Sequence, residues 1–116
     1  MQYEIGLNNG LAITTEISDF DSEKRAVAMS EESLLAVTIG QYSASKHSVM
    51  YIAPVGETGD AEILLSTGKS FYVEDAEYNS YDYTGKVNSG QLFVALGNAV
   101  INRNFYMMAM PVEEER

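Results

Sequence analysis

Residues 1–17, MQYEIGLNNGLAITTEI, constrain the fold more than any other stretch of the chain. Tyr3, Ile5 and Leu7 alternate with polar or small residues, and Leu11, Ile13, Thr15 and Ile17 do so again. Alternation of period two marks half-buried strands. The turn between them is selected by register. A two-residue Asn9-Gly10 turn pairs Ile5 with Thr14 and Tyr3 with Glu16, setting apolar side chains against polar ones. A three-residue loop, Asn8-Asn9-Gly10, pairs Leu7 with Leu11, Ile5 with Ile13 and Tyr3 with Thr15, and so gathers the apolar groups on one face. It also puts Gly10 where such loops need a left-handed residue. An antiparallel hairpin is expected here.

The stretches VMYIAPV, AEILLS, KSFYVED, AEYNSYDY, GQLFVAL and NRNFYMMAM are short, mostly rich in β-branched or aromatic residues, and separated by Gly, Asn and Ser turn signals. They predict further strands. Within residues 61–73 a Ser66-Thr67-Gly68 loop pairs Ile63 with Phe71 and Ala61 with Val73. Two segments carry competing patterns. Residues 30–39 fit a helix capped by Ser30, with Glu31 and Glu32 in its first turn and Gly40 after it, whereas Val37, Thr38 and Ile39 favour a strand. The caps tip this segment to a helix. Residues 89–101 place Leu92, Phe93, Leu96, Ala99 and Val100 at helical spacing, but Gly97 would cost a helix about 1 kcal/mol and suits a hairpin turn. Strands are expected there. SDFDSEKR is a polar break and QYSASKHS reads as a loop.

The expected architecture is mainly β: a single small antiparallel sandwich or barrel of about six to eight strands, with at most one or two short helices. A length of 116 residues has room for one domain, assigned to residues 1–112, and 113–116 read as an acidic tail that frays.

Seventeen Asp and Glu face seven Lys and Arg, a formal net charge of −10. Scarcity of cations argues against direct nucleic-acid binding, which draws affinity from Lys and Arg neutralising phosphates, and against anionic membrane surfaces. The chain has no cysteine, so disulfides and thiolate metal sites are excluded. The N-terminus has no basic n-region followed by an apolar run, and no apolar stretch approaches the roughly 18 residues of a membrane span. A cytoplasmic location is expected, and a virion or phage-encoded component in a host cytoplasm leaves the same trace.

Gly68-Lys69-Ser70 looks like the end of a phosphate-binding loop, but the first glycine of that motif falls on Ile63, and the β-forming SFYVED follows where a helix should start. It reads as a hairpin loop. Asp75-x-Glu77-x-Asn79 begins like an EF-hand and then has Ser80 and Lys86 where glycine and a bidentate glutamate are required. The stretch from Asp19, with Asp21 and Glu23, has Lys24 and Ser30 at the same two positions. No metal ligands and no cofactor are assigned. His47 is the sole imidazole and no nucleophile elbow accompanies it. No catalytic residue is assigned, and a non-enzymatic role is expected.

Tyr72, Glu74, Asp75, Glu77, Tyr78, Tyr81, Asp82 and Tyr83 crowd into one segment, read as a strand pair. Period two would set Asp75 and Glu77 about 6.6–6.8 Å apart on one strand face. Tyrosine offers large contact area at low entropy cost, and interleaved carboxylates suit arginine or lysine. The expected function is a small acidic inhibitor-like or adaptor protein that engages a basic or neutral protein partner through this surface, ordinary sheet surface being the plain alternative. In NFYMMAM, Phe105, Met107 and Ala109 alternate with Tyr106, Met108 and Met110, which predicts a central strand buried on both faces. At an edge, Tyr106, Met108 and Met110 would form an oligomer contact. The alternatives are thus a self-assembling subunit, such as a virion or phage component, and a carboxylate-based metal binder or hydrolase.

Overall fold

The structure, a computed structural model, describes residues 1–112; the tail assigned to 113–116 lies outside the described residues. The first hairpin forms as the alternation requires. Strands β1 (Gln2–Leu7) and β2 (Ala12–Glu16) pair Ile5 with Ile13 and Tyr3 with Thr15, and Gly10 takes φ 91° in the loop. The hairpin of β6 (Ala61–Leu65) and β7 (Ser70–Val73) repeats the rule, pairing Ile63 with Phe71 across a loop in which Gly68 has φ 92°. Residues 89–101 form strands β8 (Phe93–Leu96) and β9 (Ala99–Asn102), with Gly97 at φ 61° in the turn.

These strands assemble with β5 (Val49–Pro54) and β10 (Tyr106–Pro111) into two sheets. One has five strands in the order β2-β1-β5-β9-β8, and the other has three in the order β10-β6-β7. In β5, β8 and β9 successive side chains feed two separate cores. Tyr51, Val94, Leu96, Ala99 and Ile101 pack with Ile63, Leu65, Phe71 and Val73 of the three-stranded sheet. Ile52, Phe93, Ala95 and Val100 pack instead with Tyr3 and Ile5 and with Ala26, Met29, Val37 and Ile39. The five-stranded sheet is therefore a middle layer, covered on both faces. Among the described residues no closed barrel forms.

The second cover differs from the sequence expectation. A helix, α1 (Ser22–Met29), starts in the polar break, capped by Asp21, whose side chain accepts from the Lys24 N–H at 3.1 Å. Ser30 ends this helix where an N-cap was expected. Its hydroxyl bonds the Ala26 carbonyl at 2.7 Å and accepts from the Phe93 N–H at 3.0 Å. Residues 36–39 are strand β3 (Ala36–Ile39), not helix, because Val37 and Ile39 point into the core with period two. Residues read as a loop supply its partner β4 (Tyr42–Ser45), tolerated because three of its four side chains are exposed. The AEYNSYDY strand is also overturned. Asn79 accepts from the N–H groups of Tyr81 and Asp82 at 2.9 and 3.2 Å and starts helix α2 (Ser80–Val87), which turns Tyr83 and Val87 onto the core at helical spacing. These additions bring the described residues to ten strands and two helices.

Strand β10 lies at a sheet edge, not in the centre. A bulge between Tyr106 and Met108 breaks its alternation, so Met107 and Met108 are both about half exposed, at 56% and 50%. Pro111, which has no N–H to give a ladder, is tolerated because the strand is outermost.

Gly6 is required by packing rather than by φ. Gly6 pairs with Tyr51, whose ring lies over it, and a Cβ there would sit inside the ring's van der Waals surface. Gly6→Ala is expected to destabilise the fold by about 1–3 kcal/mol through overpacking. Gly85→Ala, inside α2 with open space around it, is expected to stabilise by about 0.4–1 kcal/mol. Urea unfolding of the two variants checks both signs.

Candidate functional site

Beyond Val73 the chain leaves β7 and turns through residues 74–79 into α2, and the turn is organised by its own carboxylate. Asp75 Oδ1 accepts from the Glu77 N–H at 3.2 Å, Oδ2 accepts from the Tyr83 hydroxyl at 2.8 Å, and the Asp75 N–H donates to Asp60 at 2.8 Å. The β8–β9 turn seats this segment from the other side. Asn98 Oδ1 accepts from the Glu74 N–H at 2.9 Å, and Gly97 lies so near the Glu74 carbonyl that a Cβ would come within 2.9 Å of it. Across that turn lies the start of α1, where the Ser22 hydroxyl donates to the Gly97 carbonyl at 2.8 Å.

These contacts create an open groove of about 470 Å³, lined by Asp21 and Glu23 from one side, Glu74, Asp75 and Lys86 from the other, and Gly97 and Asn98 at its base. Four carboxylates thus face one ammonium. Lys86 spans the groove, its Nζ 3.0 Å from Glu23 Oε1, an exposed pair worth little in stability. Among the described residues no group of three or more His, Asp or Glu side chains is placed to hold a metal ion.

The eight residues of the Tyr/acid segment do not share a strand face, because only Tyr72 lies in a strand, β7, and a turn and a helix replace the second strand of the expected pair. Glu74 and Asp75 line the groove. Tyr83, 2% exposed, is core, and Tyr78 packs edge-on against it at 4.8 Å while donating to the Ala109 carbonyl at 3.2 Å. Glu77, Asp82 and Tyr81 are exposed, Tyr81 to 87%. Tyr72 sits on the outer face of the three-stranded sheet. Strand register puts it beside Glu62, which also pairs with Met110, while Leu64 pairs with Met108. Tyr106 does not join these methionines, because it packs on the core before the bulge.

Asp21, Glu23, Lys86 and Asn98 were not expected to meet Glu74 and Asp75. Asp21 and Glu23 carry the acidic signal in the sequence, but no local pattern links residue 21 to residue 75. The β8–β9 turn makes that connection.

A second polar cluster explains the lysine of Gly68-Lys69-Ser70. Lys69 Nζ lies 3.1 Å from Glu4 Oε1, and the Tyr51 hydroxyl donates to the same oxygen at 2.9 Å. The lysine ties the β6–β7 loop to β1 above the stacked Tyr51 and Phe71 rings. Grooves of about 390 and 420 Å³ flank it. Comparison with protein-family models, curated proteins and solved structures finds no match.

Burial and the Asp75 hydrogen bond raise the pKa of Tyr83, and burial and the Glu4 hydrogen bond raise that of Tyr51. The folded chain then keeps protons that the unfolded chain loses above its tyrosine pKa of about 10. Their contribution to stability is full below about pH 10 and falls as pH rises beyond it. Tyr51→Phe and Tyr83→Phe should each cost about 1 kcal/mol at neutral pH for the lost hydrogen bond and flatten the alkaline fall in Tm. Equal alkaline slopes in wild type and variants would contradict this.

Proposed function

We propose that this is a small acidic, non-enzymatic binding protein, inhibitor-like or adaptor, that engages a basic protein partner at the groove between α1 and the β7–α2 connection. The observation that carries the proposal is convergence. Asp21 and Glu23, and Glu74 and Asp75, come from segments about fifty residues apart yet line one open groove. Glu77, Tyr81 and Asp82 are exposed on the stretch that follows. Arginine or lysine from a partner can pair with these carboxylates and stack on Tyr81. The net charge of −10 supports attraction of a basic partner at a distance. Among the described residues no helix is long and apolar enough to cross a membrane, and we place this activity in the cytoplasm, or in a host cytoplasm for a phage-encoded chain.

A test that spares the fold leaves Asp75 in place. Glu23→Gln, Glu74→Gln, Glu77→Gln and Asp82→Asn together should weaken binding of oligo-lysine and oligo-arginine peptides at low salt by about tenfold or more. The far-UV circular dichroism should stay native. Unchanged peptide affinity in the quadruple variant would overturn the proposal.

A second reading, self-assembly, is favoured by one observation. Met108, Met110, Leu64 and Tyr72 share the outer face of the three-stranded sheet by register, and among the described residues none of them packs on either core. Adaptable methionines on an uncovered sheet face suit a subunit contact. Light scattering at two concentrations decides it: a mass that rises with concentration, and returns to the monomer in Met108→Lys, is expected, and a monomer throughout removes this reading.

A further inference from the structure

We propose that Met107 and Met108 form a methionine oxidation site, taking hydroperoxides as the oxidant. In a regular strand, neighbouring side chains point to opposite faces, so one of two adjacent methionines is ordinarily shielded. The bulge between Tyr106 and Met108 removes that shielding at the sheet edge, and both side chains lie about half open to solvent, at 56% and 50%. Thioether reactivity toward peroxide follows access to the sulfur. The chain offers no thiol to compete, since it has no cysteine. The other methionines calibrate the site. Met29 and Met50 are buried at 2% and 6%, Met110 is half-buried, and Met1 is as exposed as Met107, at 56%.

The chemistry is a two-electron oxygen transfer. A sulfur lone pair attacks one peroxide oxygen, the O–O bond breaks as the S–O bond forms, and hydrogen peroxide is reduced to water while the thioether becomes a sulfoxide. Neither Met107 nor Met108 belongs to a core cluster, so the added oxygens leave the packing intact. What changes is the surface, where Met108 beside Leu64 turns from apolar to strongly polar.

Peroxide treatment of the full native chain, followed by tryptic mapping, tests this directly, because cleavage after Lys and Arg separates Met1, Met29, Met50 and the 107–110 group onto different peptides. Fragmentation then resolves Met107 and Met108 from Met110. Both should gain oxygen at a rate similar to Met1 and roughly tenfold or more faster than Met29 and Met50. The oxidised protein should keep its Tm. In Met107→Leu/Met108→Leu, uptake on the 104–116 peptide should drop to the slow Met110 component. Two outcomes overturn the proposal: Met107 and Met108 unreacted when Met1 is fully oxidised, or Met29 and Met50 reacting as quickly while the circular dichroism remains native.

Discussion

Everything in this fold answers to three strands that cannot face water on either side. Val49–Ala53, Phe93–Leu96 and Ala99–Ile101 bury every side chain they carry. A large apolar side chain left in water instead costs about 1.5–3 kcal/mol, so both faces of the sheet they form must be covered. The β10-β6-β7 sheet and α2 cover one face, and α1 with the β3–β4 hairpin covers the other. The exposed edge of β8 is closed by the same helix, through Ser30 at one end of α1 and Ser22 at the other.

The acidic groove is a consequence of that layering. Asp21 and Glu23 belong to one cover, Glu74, Asp75 and Lys86 to the other, and Gly97 and Asn98 to the middle sheet. The layers come together at the β8–β9 turn because Gly97 lets the Glu74 backbone approach where any side chain would collide. A surface assembled from three layers is positioned as firmly as the packing beneath it. Tyr83 supplies much of that packing, with its ring in the core and its hydroxyl on Asp75. Two of the tyrosines that suggested a binding surface, Tyr78 and Tyr83, therefore support the groove from below, while Tyr81 remains in solvent.

Legibility varied with how local the deciding interaction was. The hairpins over residues 2–16 and 61–73 were readable to the register, because a two-residue period and a glycine of positive φ admit one pairing that gathers the apolar groups. The Ser66-Thr67-Gly68 hairpin loop was readable in place of a phosphate-binding loop for the same reason, since that motif depends on named residue types at fixed offsets. One helix was misplaced and the other was not foreseen. Ser30 is a good residue for the start of a helix, but its hydroxyl closes the end of α1 on the Ala26 carbonyl instead. Asn79 starts a helix in a tyrosine-rich segment whose propensity favours strand. NFYMMAM misled because alternation implies burial on both faces only in an unbroken strand, and a bulge interrupts this one.

By itself the sequence determined the antiparallel β class, the two loop-closed hairpins, the acidic surface and the absence of thiol chemistry, all of which rest on composition or on contacts within a few residues. Only the tertiary structure decided which apolar strands lie in the middle, that Asp21 and Glu23 face Glu74 and Asp75, and that adjacent methionines both reach solvent. Those outcomes depend on which faces are left to cover once the central sheet has formed, and that is settled by long-range packing, for which a single chain of residues carries no local signal.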